Sequence, residues 1–297
     1  MGAKTRADRF WKLNYYGIRS LVCGEFIKYY LADNPKNMKK ILLFTLLMIA
    51  FHVSSKAQQN SIKFIEVSGN TTSDIRQISE AVEPYVYQSA IDLSRLEVQE
   101  KKQAFINLML PSILIAKYEI EQERIAVLEL VNKTEALSGS EENYLNDLKK
   151  AYKCSTNTDL LLRLRTHPTS IVIAQAAIES GWGTSRFYRE ANNIFGVWSY
   201  SKNEARIKAS EDRDGKSVYV KKYDSLPKSI ASYFKTIARG PYSGFRTNRE
   251  KTSDVFVLIS HLKVYSELRE EYVRRLEELI RYNKLEQYDR YVLKMSK

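Results

Sequence analysis

The stretch Ile171-Val-Ile-Ala-Gln175-Ala-Ala-Ile-Glu179-Ser-Gly-Trp182-Gly-Thr-Ser-Arg186-Phe-Tyr188, running on to Asn192-Asn-Ile-Phe195-Gly196-Val-Trp198, decides how the chain is read. Residues 171–178 are apolar except Gln175, so a helix here has no broad polar face and is expected inside a domain. Pro168, Thr169 and Ser170 supply a start signal and Ser180-Gly181 a stop. Glu179 then falls in the last turn, where unpaired carbonyls carry partial negative charge and disfavour an anion. Burial against Trp182 and Phe195 is expected to act in the same direction, because desolvation raises a carboxyl pKa. A carboxyl group that keeps its proton near neutral pH is what general-acid catalysis requires. The chain has three Trp, and the two outside the N-terminal leader, Trp182 and Trp198, both lie close to Glu179 in sequence. Flat aromatic faces beside an acid suit a sugar ring, although they serve core packing equally well. Most glutamates at helix ends are solvated surface residues, so the assignment needs a second support.

That support is a resemblance. Ala176-Ala-Ile-Glu179-Ser-Gly-Trp-Gly-Thr-Ser-Arg186 followed by Asn192-Asn-Ile-Phe-Gly196 closely resembles the signature of bacterial peptidoglycan glucosaminidases of glycoside hydrolase family 73, and within them the Bax-like branch. The likeness continues through Tyr223-Asp-Ser, Tyr242, Phe245-Arg246, Tyr265-Ser-Glu267 and Tyr272-Val. A composite of this kind is far more specific than one short pattern. It implies a mainly α (α+β), lysozyme-like domain with a small β-hairpin lobe over residues 161–292, and an endo-β-N-acetylglucosaminidase acting on peptidoglycan glycan strands. Glu179 is then the proton donor. A facing carboxylate is expected on the hairpin lobe, where Glu211 stands just before the turn and Asp212 and Glu204 are rivals; some Bax-like relatives lack an acid there. Tyr242 matches the family tyrosine beside the acid. Trp182, Asn193, Phe195, Gly196 and Trp198 are expected to shape the cleft that holds the sugar.

Glycosidic cleavage needs a proton for the leaving oxygen and help for the oxocarbenium ion or the attacking water. Carboxyl groups about 6.5–9.5 Å apart leave room for water, and about 5–5.5 Å implies a covalent intermediate. Help from the substrate's own N-acetyl group is a further route. Two other readings of the same residues stay open: a wall-binding protein without activity, and a lytic transglycosylase using the same acid.

The formal charge of +12 points first to nucleic acid or another anionic polymer. Residues 1–57 hold 10 Lys and Arg against 3 Asp and Glu, and the remainder carries only +5. No nucleic-acid partner is expected on that balance. Met38-Lys-Lys-Ile-Leu-Leu-Phe-Thr-Leu-Leu-Met-Ile-Ala-Phe-His-Val53 has a basic start and an apolar run too short to span a bilayer comfortably, and Ser55-Lys-Ala57 fits a small-x-small cleavage pattern. We read residues 1–57 as a leader with its true start at Met38, and the protein as exported. Membrane attachment is expected only if the signal stays uncleaved. With His52 in the leader, His167 and His261 are too few for a histidine-rich metal site, and no metal, cofactor or phosphate loop is expected. Cys23 lies in the leader, so Cys154 is unpaired and expected to be inert. The chain is expected to act as a monomer.

Residues 58–75 read as a polar lead-in with order beginning after it, and 76–160 as a helical N-terminal segment. The apolar spacing from Ile91 to about Lys133 is helical, and Pro111 is expected to divide or kink it. Glu141–Tyr152 and Leu160–Arg165 predict two more helices. Arg206–Ala209 and Ser217–Tyr223 alternate around Asp212-Arg-Asp-Gly215 and predict a hairpin. Ser225–Ala238 predicts a capped helix, Arg239–Arg246 an aromatic loop, and Val255–Leu262 and Glu270–Asn283 two closing helices.

Overall fold

The structure, a computed structural model, describes residues 62–210, Asp212 and 217–295; the leader, Glu211 and the hairpin turn lie outside the described residues. The helix expected from the opening stretch is α4 (Thr169–Ser180), and its residues 169–177 are all buried. Its low polarity on every side is accounted for by its neighbours. α1 (Val98–Val131) lies along one flank, α8 (Val255–Ile259) and α9 (Glu270–Tyr282) along another, and the 3-10 turn Leu285–Arg290 sits at its N-terminal end.

α1 is a single helix that continues through Pro111, so of the two outcomes expected from a proline in mid-helix, division or a kink, division does not occur. Phe105 to Ala116 are buried without interruption, so packing on all sides compensates for the hydrogen bond the proline removes. Ser112 donates its hydroxyl to Leu108 O in the same turn. The helix also begins at Val98, several residues later than the spacing predicts. α2 (Gly139–Tyr152) starts at Ser138, whose hydroxyl accepts from Glu141 N–H while the Glu141 carboxylate accepts from Ser138 N–H. α3 (Asn157–Arg163) follows, the short α5 (Arg186–Ala191) comes after α4, and α6 (Leu226–Arg239) packs on α1. Ser225 precedes α6 but makes no side-chain cap there; Pro227 in the first turn supplies the start instead. The segment expected as a loop, Arg239–Arg246, runs into a short helix, α7 (Ser243–Asn248).

Order begins earlier than the polar composition of residues 58–75 predicts. β1 (Ile65–Val67) pairs in parallel with β3 (Tyr85–Tyr87), and β2 (Ala81–Val82) pairs in parallel with β6 (Val292–Leu293). The second pair joins the start of the described chain to its end, and residues from both the N-terminal segment and the C-terminal half enter one hydrophobic core. The expected hairpin is present as β4 (Arg206–Lys208) and β5 (Tyr219–Lys221), antiparallel with Ile207 opposite Val220. The architecture is mainly α with this small lobe, as the sequence implies. Among the described residues, no helix is long and apolar enough to cross a membrane.

Candidate active site

α4 ends at Gly181, and the next two residues keep φ positive: 57° at Gly181, 58° at Trp182 and 76° at Gly183. Three left-handed residues in succession reverse the chain within one turn, which is why Gly flanks the tryptophan. Ser180 ties the reversal together. Its hydroxyl donates to Ala176 O at 2.6 Å and accepts from Gly183 N–H at 2.9 Å. Glu179 is thereby fixed on the last turn, half-buried.

Burial raises the Glu179 pKa above 4.5, and a hydrogen bond donated by the Tyr272 hydroxyl to Oε1 at 3.2 Å pulls the other way. The groups around the acid are tyrosines. The hydroxyl pKa values of Tyr272, Tyr242, Tyr265 and Tyr233 are all raised, first by burial and in part by the negative charge of Glu179. Tyr265 stacks on Tyr272 with ring centroids 5.6 Å apart, and Tyr242 tilts against Tyr265 at 6.2 Å. The site is a carboxyl group in a wall of phenols, suited to keeping and then releasing a proton.

The other residues expected from sequence are spread over several places. Tyr242 is buried within electrostatic reach of Glu179. Trp182 packs edge-on against Phe105 at 5.4 Å, with Lys102 Nζ over its ring, and lines a groove of about 940 Å³ with Ile178 and Tyr282. Phe195 is buried and stacks on Tyr233 at 4.2 Å. Trp198 and Gly196 line a second groove, of about 390 Å³, with Phe187, Asp212 and Val220.

Asn193 ties the turn at Val197 to β5. Its carboxamide donates to Val197 O and Lys221 O and accepts from Val197 N–H, all within 2.9 Å, and the side chain is buried. The carboxylates on the hairpin lobe also separate. Glu204 accepts from Ser199 Oγ at 2.7 Å and pairs with Lys221 at 2.8 Å, which lower its pKa to about 2. Asp212 is exposed and pairs with Lys208 at 3.1 Å, and Glu211 lies outside the described residues. Among the described residues no cluster of His, Cys, Asp and Glu could hold a metal ion.

Sequence reasoning assigned no role to Tyr272, Gln175, Tyr233 or His167, all of which connect to Glu179 by hydrogen bonds. One signal was present: Gln175 is the single polar residue in an apolar run, and a buried carboxamide needs partners.

Residues 158–285 match the family described as mannosyl-glycoprotein endo-beta-N-acetylglucosaminidase. It is similar to the protein Bax of Escherichia coli (strain K12), 30% identical over 181 residues that cover 56% of this chain and 64% of Bax. It is also similar to the exo-glucosaminidase LytG of Bacillus subtilis (strain 168), 25% identical over 153 residues, 50% of this chain and 52% of LytG. The chain thus spans less than two thirds of either relative's length. Among solved structures, the catalytic domain of the autolysin Auto from Listeria monocytogenes aligns with a TM-score of 0.36 at 24% identity, covering 57% of this chain and 97% of that one.

Proposed function

We propose that the chain hydrolyses the glycan strands of bacterial peptidoglycan as an endo-β-N-acetylglucosaminidase, with Glu179 as general acid. The carrying observation is the environment of Glu179. It is half-buried at the end of an apolar helix, with burial favouring its protonated form and Tyr272 fixing one oxygen, inside the segment that matches the glucosaminidase family. Glu179 gives its proton to the glycosidic oxygen as the C–O bond breaks, and the charge developing on the sugar is met by water or by the substrate's acetamido group. Glu211 is proposed as the second acid because the family resemblance implies a carboxylate at that hairpin position; its rivals Glu204 and Asp212 pair with Lys221 and Lys208.

The test is Glu179→Gln in the full-length chain, followed by release of soluble muropeptides from purified sacculi. Loss of release by about 10²-fold or more with an unchanged circular dichroism spectrum is expected. Release at the wild-type rate refutes the role, and sacculus binding without new reducing ends in the wild type favours a wall-binding protein. The relatives' names divide between endo and exo attack. Endo attack yields intermediate-length fragments early in the digest.

A lytic transglycosylase is favoured by one observation. Among the described residues, no second carboxylate perturbs Glu179, and that reaction needs one principal acid. Mass spectrometry separates the two: reducing N-acetylglucosamine ends mark hydrolysis, and anhydromuramic ends mark transglycosylation. We further propose export through the leader with cleavage after Ala57, tested by N-terminal sequencing of the exported chain.

A further inference from the structure

Behind Glu179 lies a chain of four hydrogen bonds. His167 Nε2 lies 2.8 Å from Tyr233 Oη, Tyr233 Oη donates to Gln175 Oε1 at 2.5 Å, Gln175 Nε2 donates to Tyr272 Oη at 2.9 Å, and Tyr272 Oη donates to Glu179 Oε1 at 3.2 Å. His167, Tyr233, Gln175 and Tyr272 are each at most 4% exposed. We propose that Gln175, Tyr233 and His167 are positioning residues that fix the direction of this chain, so that Tyr272 always presents a donor to Oε1 and the acid's proton is confined to Oε2. The inference rests on Glu179 being the general acid.

The direction follows from counting protons. A hydroxyl has one hydrogen to give, a carboxamide oxygen only accepts, and its nitrogen only donates. Because Tyr233 spends its hydrogen on Gln175 Oε1, it can only accept from His167, which sets the Nε2–H tautomer there. His167 Nδ1 is then a bare lone pair, in agreement with its burial without a hydrogen-bond partner among the described residues. A second proton would leave a buried N–H unpaired. Burial, with the charges of Arg249 and Lys117, holds the imidazole neutral by pushing its pKa well below 6.5. Phe234 and Phe245, with ring centroids 4.9 and 5.0 Å from the imidazole, offer it no competing acceptor.

With Gln175 oxygen held by Tyr233, the amide nitrogen must face Tyr272. The acceptor side of Tyr272 Oη is then filled, and its hydrogen goes to Glu179. In neutral Glu179 the oxygen that already receives a donor serves as the carbonyl, so the O–H resides on Oε2. Among the described residues, Oε2 makes no hydrogen bond of its own and is free to meet a glycosidic oxygen. If the amide turned over, Tyr272 would donate to Gln175 and Glu179 would lose its donor. The proton could then rest on either oxygen.

The pH dependence follows. The titratable groups facing Glu179 are Tyr233, Tyr242, Tyr265 and Tyr272, and among them the Tyr272 hydrogen bond favours the charged carboxylate. Losing that bond raises the Glu179 pKa and moves the alkaline limb of the rate profile to higher pH. The experiment compares wild type, Tyr233→Phe, Gln175→Leu and Glu179→Gln in the full-length chain, using soluble peptidoglycan fragments across pH 4–9. The relay predicts kcat lower by about tenfold or more in Tyr233→Phe and Gln175→Leu, with KM little changed and the alkaline limb raised. Nitrogen-15 shifts of the His167 ring in the wild type should report the Nε2–H tautomer. That measurement decides the question even if both variants unfold, and an Nδ1–H tautomer overturns the relay. A folded Tyr233→Phe with wild-type kcat and pH profile also overturns it, while an inactive Glu179→Gln in the same series leaves the acid assignment standing. Wild-type activity in Glu179→Gln overturns both.

Discussion

The N-terminal end of α4 is capped from the far end of the chain, and replacing that cap should lower stability while leaving catalysis nearly intact. Pro168 stands at the N-cap and offers no side-chain acceptor. Asp289, on the 3-10 turn Leu285–Arg290, fills the gap: Oδ1 accepts from Ser170 N–H at 2.8 Å and Oδ2 from Ser170 Oγ at 2.7 Å. Its charge also supports the half-buried Lys117 ammonium, which donates to Thr169 Oγ1 at 3.1 Å and whose pKa is lowered by desolvation, an effect that Asp289 partly offsets. Asp289→Ala removes a helix cap, about 1–2 kcal/mol. It also takes the nearby charge from a half-buried cation, and we set the total at roughly 2–3 kcal/mol after discounting for the solvent exposure of Asp289. For a folded unit of this size that corresponds to a Tm lower by about 4–12 °C. Lys117→Met alone removes the desolvated charge and should be close to neutral. In the double variant the loss should therefore fall short of the sum by about 0.5–2 kcal/mol. Thermal unfolding followed by circular dichroism at pH 7 measures all four forms. Because Glu179 lies nine residues along the helix, about 14 Å away, kcat at 25 °C should stay within about twofold. A Tm change below about 1 °C in Asp289→Ala, or strict additivity with Lys117→Met, refutes the reasoning.

Tyr272→Phe deletes the donor to Glu179 Oε1 and strands Gln175 Nε2, so kcat should fall by about tenfold to a hundredfold and the alkaline limb should rise, read from initial rates between pH 5 and 8. His167 is neutral in the fold with its pKa well below 6.5, so below pH 6.5 the unfolded chain binds more protons and folding loses up to about 1.4 kcal/mol per pH unit. Glu179, whose folded pKa is raised above 4.5, works in the opposite sense: it adds stability as pH falls through its folded value. In urea titrations at pH 7 and pH 5, His167→Phe should therefore lose about 2 kcal/mol less than wild type between the two conditions, and equal losses would exclude a neutral buried imidazole. Gly183→Ala puts a Cβ at φ 76°, 3.1 Å from Phe105 Cδ2 and 3.2 Å from Leu93 Cδ1, and should cost about 1–3 kcal/mol in the same assay.

How much of this was legible in the sequence depended on how local each cause is. The limits of α4 follow from Pro168 and Gly181, the hairpin from alternation, and the half-burial of Glu179 from the apolar run before it. The order at Ile65–Val67 was not legible, because its partner Tyr85–Tyr87 and the strap Val292–Leu293 that holds the neighbouring strand are set by tertiary pairing. Pro111 predicted a division or a kink, and dense packing along α1 keeps the helix from dividing. The tyrosine wall was hidden for a similar reason. Tyr233, Tyr242, Tyr265 and Tyr272 come from three helical elements and a loop, and in one chain with 20 Tyr nothing marks those four.

The Glu-Ser-Gly-Trp-Gly run therefore carries two kinds of information. Glu179 is the chemical member in the proposed reaction; Ser180, Gly181 and Gly183 are geometric, because they close the helix and turn the backbone within three residues. Trp182 belongs with the geometry first. Its φ of 58° costs of order 1 kcal/mol or more for a residue with a Cβ, and its packing on Phe105 and under Lys102 offsets that cost. The indole thus fastens the turn to α1, and the same contact makes it one wall of the groove beside Ile178. In the proposed mechanism the acid must keep its proton on one chosen oxygen, and its carbon frame is then best held from both sides. Here the turn after Glu179 is locked by Ser180 and Trp182, and the side chain is approached from behind by Tyr272. Neither constraint is sufficient alone: the turn fixes where Cα sits, and only the hydrogen bond to Oε1 fixes which oxygen is left for the substrate.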